Sequence, residues 1–155
     1  MDTTQLIFMA LGLPLNVGLA SLGSAYAVSQ SAIAVFSVGV MKPNVIIKGI
    51  IAVVMGTMLG LYSLVVGIFA GRAAMGLLKD GKEVSPLGGY LLFASCSMNG
   101  VANLAAGYGI GICATAGIRG IAQQEKLFFT YILSLLLLEA LGLYGLILSL
   151  LSIPR

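Results

Sequence analysis

Chemistry in this chain comes down to one carboxylate in an apolar stretch. Glu139 sits midway through Ser134-Leu135-Leu136-Leu137-Leu138-Glu139-Ala140-Leu141-Gly142-Leu143-Tyr144. On a helix its neighbours three and four positions away are Leu135, Leu136, Gly142 and Leu143, none of which can pair with it. An ionised carboxylate at mid-bilayer costs about 2.5–3.5 kcal/mol on insertion scales. Such a group is neutral when it faces lipid and ionises when it meets water or a cation, which is what a proton carrier needs. The plainer alternative is a carboxylic acid hydrogen-bonded to a neighbouring helix as a packing device. Ionisable residues inside membranes are functional by default, which favours the carrier.

Composition narrows the remaining choices. Of 155 residues, 59% are hydrophobic and 8% are charged, and the mean hydropathy is +1.09. Soluble domains carry about 25% charged residues, so these charges are too few to coat a water-facing surface. Eight Lys+Arg stand against five Asp+Glu, for a net charge of +3. They are scattered, with no basic run, and no nucleic-acid partner is expected. The absence of His excludes a His-centred triad, a His metal site and a His proton relay. Trp is absent too, leaving any interfacial belt to Tyr. Cys96 and Cys113, if on one helix, lie about 25 Å apart, too far to bridge, and read as small buried apolar residues. Met1-Asp2-Thr3 lacks the basic region of a signal peptide, and the apolar run that follows is too long for one.

The spacing of the charges predicts the elements that must position Glu139. No charged side chain occurs in 3–41, 49–71 or 84–118, and 127–154 contains Glu139 alone. A spanning helix needs about 20 apolar residues, so each interval can cross a bilayer. The runs do not alternate with period two, which argues against strands. The expected fold is an all-α membrane protein of four transmembrane helices in two hairpins. The first hairpin, 1–71, has helices over about 5–40 and 45–71, and the second, 87–155, has helices over about 87–118 and 127–152. Between them, 72–86 holds Arg72, Lys79, Asp80, Gly81, Lys82, Glu83 and Pro86 and reads as an exposed turn. Pro43 disfavours helix at Lys42 and breaks the chain between the first two helices. Residues 119–126 join the last two. Positively charged residues do not orient the chain: Lys42, Lys48, Arg119 and Lys126 at one end face Arg72, Lys79, Lys82 and Arg155 at the other.

Shifting the chain by 82 residues superimposes one hairpin on the other. Gly18, Ala20, Leu22 and Tyr26 coincide with Gly100, Ala102, Leu104 and Tyr108. Leu59, Gly60, Leu61, Tyr62 and Leu64 coincide with Leu141, Gly142, Leu143, Tyr144 and Leu146. Both copies have the same orientation, unlike the halves of an inverted-repeat transporter. Small residues recur every fourth position in helix 1 (Gly23, Ala27, Ser31) and helix 3 (Gly107, Gly111, Thr115), where they allow close backbone approach. They suit either packing within one four-helix chain or the tight inner layer of a ring of copies, with the even helices toward lipid. The same offset puts Thr57 opposite Glu139, leaving one titrating site per four helices. Tyr62 and Thr57 are the candidate hydrogen-bond partners of Glu139, although a Tyr in such a place is often plain packing.

These features resemble the proteolipid, or c-type rotor, subunits of the vacuolar-type proton ATPase. The resemblance spans nearly the whole chain. It rests on Leu22-Gly23-Ser24-Ala25-Tyr26, Val40-Met41-Lys42-Pro43 and Leu61-Tyr62-Ser63-Leu64-Val65-Val66 in the first half. In the second half it rests on Leu104-Ala105-Ala106-Gly107, Gly117-Ile118-Arg119-Gly120 with Gln123-Gln124, and Glu139-Ala140-Leu141-Gly142-Leu143-Tyr144-Gly145. It implies a ring of identical or sibling subunits in the lipid bilayer, turned by ATP hydrolysis in other subunits, so that this chain is not itself an enzyme and needs no cofactor or metal. Glu139 would exchange protons with the half-channels of a stator subunit that supplies an arginine. Lys42, Arg119 and Lys126 would face a central-stalk subunit from the cytosolic loops, with both termini lumenal in a vacuolar, lysosomal or other acidic-compartment membrane. Relatives that carry sodium use side-chain oxygens, notably Gln, near the carboxylate. Here the corresponding helix 3 position is Ile110, and Gly56-Thr57-Met58-Leu59 contains no amide, which favours protons. The alternatives are a sodium-carrying rotor, a small proton-coupled exporter and a four-helix channel or junction protein. An exporter would line its cavity with aromatic and polar groups, and a junction protein would carry larger loops with paired Cys.

Overall fold

Apolar segments in lipid must satisfy their backbone amides internally, and the apolar intervals of this chain form helices. The computed structural model describes residues 3–79 and 86–153. Its elements are α1 (Thr3–Gly39), α2 (Asn44–Lys79), α3 (Pro86–Gln123) and α4 (Phe128–Ser152), with a 3-10 turn at Glu125–Leu127 leading into α4. Among the described residues all four helices are long and apolar enough to cross a membrane. The two-hairpin, all-α membrane architecture expected from the charge spacing is the one observed.

The ends differ from expectation. The turn predicted from residue 72 is still helix as far as Lys79. Ala73, Ala74, Met75, Leu77 and Leu78 are strong helix formers, and no proline intervenes before Pro86. Pro86 begins α3, where its missing N–H costs nothing. The rest of the predicted connection, 80–85, lies outside the described residues. With 36 residues, α2 is about 54 Å long at 1.5 Å per residue, well beyond a hydrocarbon core of about 30 Å. It is therefore longer than a single perpendicular crossing requires.

Cross-contacts give the directions. Along α1, Asn16 meets Asn99, Gln30 meets Thr115, and Lys42 just beyond the helix meets Ala122, so α1 and α3 run parallel. Along α2, Lys48 meets Glu125 and Tyr62 meets Glu139, so α2 and α4 run parallel as well. The most extensive contact is between α1 and α3, while α2 and α4 touch lightly. A Cβ on Gly107 would overlap the backbone of Gly23, and one on Gly23 would come within 2.6 Å of the Asn103 carbonyl oxygen. The two inner helices thus cross backbone to backbone, as the spacing of small residues predicts. Leu59, Ile110, Ile118 and Leu135 are fully buried and knit the outer helices to α3. In the most apolar stretch of each helix only 22–39% of residues are buried within the chain, which leaves much of every helix to be covered by lipid or by other chains.

This packing makes glycine positions unequal. Gly107→Ala is expected to lower the stability of the detergent-solubilised protein by about 1–3 kcal/mol, because nothing at a backbone crossing can give way. Gly71, with nothing within 4 Å of its missing Cβ, should tolerate Ala or gain up to about 1 kcal/mol. Thermal melts of the two variants side by side test this.

Candidate functional site: a carboxylate between the outer helices

Four leucines precede Glu139 on α4, and Ala140 and Leu141 follow it, so its own helix offers no polar company. Its partner comes from α2. The Tyr62 hydroxyl donates to Glu139 Oε1 at 2.8 Å, and both side chains are half-buried. The parallel course of α2 and α4 brings these residues, 77 positions apart, to one level. Their approach depends on Gly142, one turn further along α4. A Cβ there would lie 2.7 Å from Leu59 Cδ2 and 2.9 Å from Asn103 Oδ1. A larger residue would force the buried Leu59 and Asn103 side chains to shift or α4 to move outward.

Thr57 does not join this pair. Its hydroxyl turns back along its own helix to donate to the Val54 carbonyl at 2.6 Å, and the residue is exposed. Ser and Thr in helices commonly bond this way, which satisfies the hydroxyl locally. Ile110 is fully buried and packs hydrocarbon into the core beside Leu59 and Leu135. Tyr144, equivalent to Tyr62 in the repeat, is 58% exposed on the outer surface.

The three basic loop residues lie at one end of the molecule. The Lys42 ammonium donates to the Ala122 carbonyl near the end of α3, tying the first hairpin turn to the second. Arg119 and Lys126 are exposed. Beside them Lys48 pairs with Glu125 at 3.0 Å and lies 5.6 Å from the Phe128 ring centre. The Glu125 side chain is 75% exposed, so the pair contributes no more than about 1 kcal/mol. Cys96 is buried, Cys113 is half-buried, and both are free thiols.

A second polar feature lies outside the sequence expectations. Asn16, Asn99 and Asn103 are fully buried between α1 and α3 and bonded to one another. Two signals for it exist in the sequence: three amides inside charge-free intervals, and the spacing of four between Asn99 and Asn103.

Two parallel hairpins, crossed through glycine on the inside and carrying one carboxylate on the last outer helix, define a duplicated membrane hairpin protein. Residues 11–70 and 93–152 each match the family of ATP synthase C subunits, and the chain belongs to that family. The two matches are displaced by the same 82 residues as the internal repeat. Similar proteins include the 16 kDa proteolipid (c) subunit of the V-type proton ATPase of Ascaris suum, 42% identical over 135 residues that cover 83% of this chain and 78% of the relative. The sheep (Ovis aries) protein of the same name is 38% identical over 143 residues, 92% and 88% of the two chains. A V-type proton ATPase 16 kDa proteolipid subunit from Chrysotila carterae is 39% identical over 158 residues, 95% and 90% of the two chains.

The Gly142 contact yields a direct prediction. Gly142→Ala should separate α4 from α2, cost about 1–3 kcal/mol in a thermal melt, and break the bond between Tyr62 and Glu139. Difference infrared spectra would show the tyrosine C–O band losing its hydrogen-bonded position.

Proposed function

We propose that this chain is a proton-carrying rotor-ring subunit of a V-type ATPase membrane sector. The observation that carries the reading is a single intramembrane carboxylate, Glu139, held at 2.8 Å by one donor, Tyr62, on a neighbouring helix. Copies of the chain, alone or with sibling proteolipids, form a ring with α1 and α3 inside and α2 and α4 toward lipid. The large uncovered surface of each helix supports such assembly. ATP is hydrolysed by other subunits, and this chain contributes no catalytic residue.

The cycle follows from the cost of charge in hydrocarbon. Protonated Glu139 is neutral and can travel round the ring facing lipid. At the stator it enters water and meets an arginine, and an opposite charge within about 4–6 Å favours the carboxylate. The proton leaves to one half-channel and a new one enters from the other. One such site per four helices moves few ions per turn, which suits a pump building a steep gradient.

Protons are favoured over sodium by the donor set. A hard cation stripped of water needs several oxygens. Tyr62 Oη lies against Glu139, Thr57 bonds to its own helix, and Ile110 presents only hydrocarbon. The end carrying Lys42, Arg119 and Lys126 faces the cytosol and the central stalk, and both termini face the lumen of an acidic compartment.

Glu139→Gln keeps shape and neutrality but cannot release a proton. It should leave ring assembly intact and abolish ATP-driven acidification of reconstituted vesicles; acidification at the wild-type rate would overturn the proposal. Tyr62→Phe removes the donor to the ionised form. The pH of half-maximal carbodiimide labelling at Glu139 should then rise by about one unit, equivalent to roughly 1.4 kcal/mol.

A further inference from the structure

The three buried asparagines form a chain with a direction. Asn103 Nδ2 donates to the carbonyl and to Oδ1 of Asn99, each at 3.0 Å. Asn99 Nδ2 donates to Asn16 Oδ1 at 2.7 Å, and Asn16 Nδ2 donates to the Ser63 carbonyl on α2 at 3.0 Å. Every donor points away from Asn103, so the head of the chain is an acceptor. That acceptor, Asn103 Oδ1, is buried and has no donor. A buried carbonyl left unpaired is costly, and hydrogen bonds aligned in one direction polarise one another. An unfilled, strengthened acceptor inside a membrane calls for a hydrogen.

Its position says which one. Asn103 Oδ1 lies 2.9 Å from the point a Cβ on Gly142 would occupy, and Tyr62 Cδ2 lies 3.7 Å from the same point. Acceptor and ring therefore flank the same point on α4, one helical turn from the Glu139 that the Tyr62 hydroxyl holds.

We propose that Asn103 is a positioning residue for proton binding at Glu139, taking the Tyr62 O–H through one bridging water when Glu139 is protonated. The inference rests on the proton-carrier reading above. Ionised Glu139 can only accept, so the one hydrogen of Tyr62 goes to it. Protonated Glu139 has its own O–H and donates it to the Tyr62 oxygen. The Tyr62 hydrogen is then released to turn to a stronger acceptor than the carbonyl oxygen of a neutral acid, and Asn103 Oδ1 supplies it. No covalent bond of Tyr62 breaks: the arriving proton stays on Glu139, and only the two hydrogen bonds change direction. Asn103 thereby stabilises the protonated form without adding charge to the site.

Few other ionisable groups among the described residues face this site. From α2 the ionisable side chain facing Glu139 is Tyr62. Tyr26 of α1 and Tyr108 of α3 stack on each other with ring centres 5.0 Å apart, and Tyr108 is exposed. Cys113 and Tyr131 pack toward the 3–4 loop end of the α3–α4 contact, beside Gly117 and Gly120, and Tyr144 is exposed. The described charged side chains other than Glu139 are Lys42, Lys48, Arg72, Arg119, Glu125 and Lys126, all toward the helix ends.

The test is carbodiimide labelling of Glu139 against pH in membranes containing the assembled complex. Asn103→Leu should move half-maximal labelling to lower pH by about one unit, a ten-fold weaker hold on the proton. Asn16→Leu cuts the tail of the chain but keeps the acceptor and should move the curve by less than half as much as Asn103→Leu does. In a Tyr62→Phe background, Asn103→Leu should produce no further shift. Should the leucine variant fail to assemble, Asn103→Ser must give the same downward shift, since its short hydroxyl can bond back to its own helix. An unchanged curve for the Asn103 variants would overturn the inference and leave the function standing. A shift that persists in full without the Tyr62 hydroxyl would do the same, by assigning the effect to packing. Wild-type Glu139 that does not label at any pH would overturn the proposed function and this inference with it.

Discussion

In hydrocarbon a carboxylate must either hold a proton or be given a donor, and Glu139 is given Tyr62 Oη at 2.8 Å. Keeping that donor in place sets demands on the whole chain. The outer helices α2 and α4 must run parallel with their mid-points level. They share a light contact, so their spacing is fixed through α3, against which both pack. Ala at Gly142 would come within 2.7 Å of Leu59 Cδ2, so the close approach there suits glycine. The inner helices are set in turn by the backbone crossing of Gly23 and Gly107 and by the amide chain of Asn16, Asn99 and Asn103. A glycine crossing fixes distance, whereas an amide ladder also fixes axial register. Both bear on where Tyr62 and Glu139 meet.

Duplication divides the labour between the copies. The second hairpin supplies the carboxylate and the first supplies its hydroxyl partner, while the equivalents of these residues do neither. Thr57, in the place of Glu139, bonds to its own helix, and Tyr144, in the place of Tyr62, lies 58% exposed. The amide chain breaks the symmetry as well, since the repeat equivalents of Asn99 and Asn103 are Val17 and Ser21. Two hairpins of one ancestry have become a single asymmetric site.

Much of this arrangement is legible in the sequence, for identifiable reasons. Charge is so costly in lipid that charge-free intervals mark the spanning helices, and the register of Gly and Tyr marks the repeat. Tyr62 can be named from its place relative to Glu139 because a repeat offset carries positional information. Helix ends are less legible: Arg72 and Lys79 carry charge, yet most residues between them are good helix formers, and the helix continues to Lys79. Thr57 looks like a partner by symmetry, but a helical hydroxyl can share the carbonyl three residues back and so finds its bond at home. The asparagine chain is hidden for the opposite reason. Asn16 and Asn99 stand 83 residues apart, and nothing local to either names the other.

The central claim proposed for this chain is that Glu139 carries a proton while facing lipid and exchanges it in the half-channels of a stator. Carbodiimide labelling of native membranes, mapped to the residue by mass spectrometry with and without sodium, tests it most directly. The reagent attacks protonated carboxyls reachable from lipid. Labelling confined to Glu139, increasing as pH falls, blocking acidification and indifferent to sodium is the result expected of a proton rotor. Protection by sodium at fixed pH would contradict the ion assignment. An inert Glu139 in membranes that still acidify would contradict the mechanism altogether.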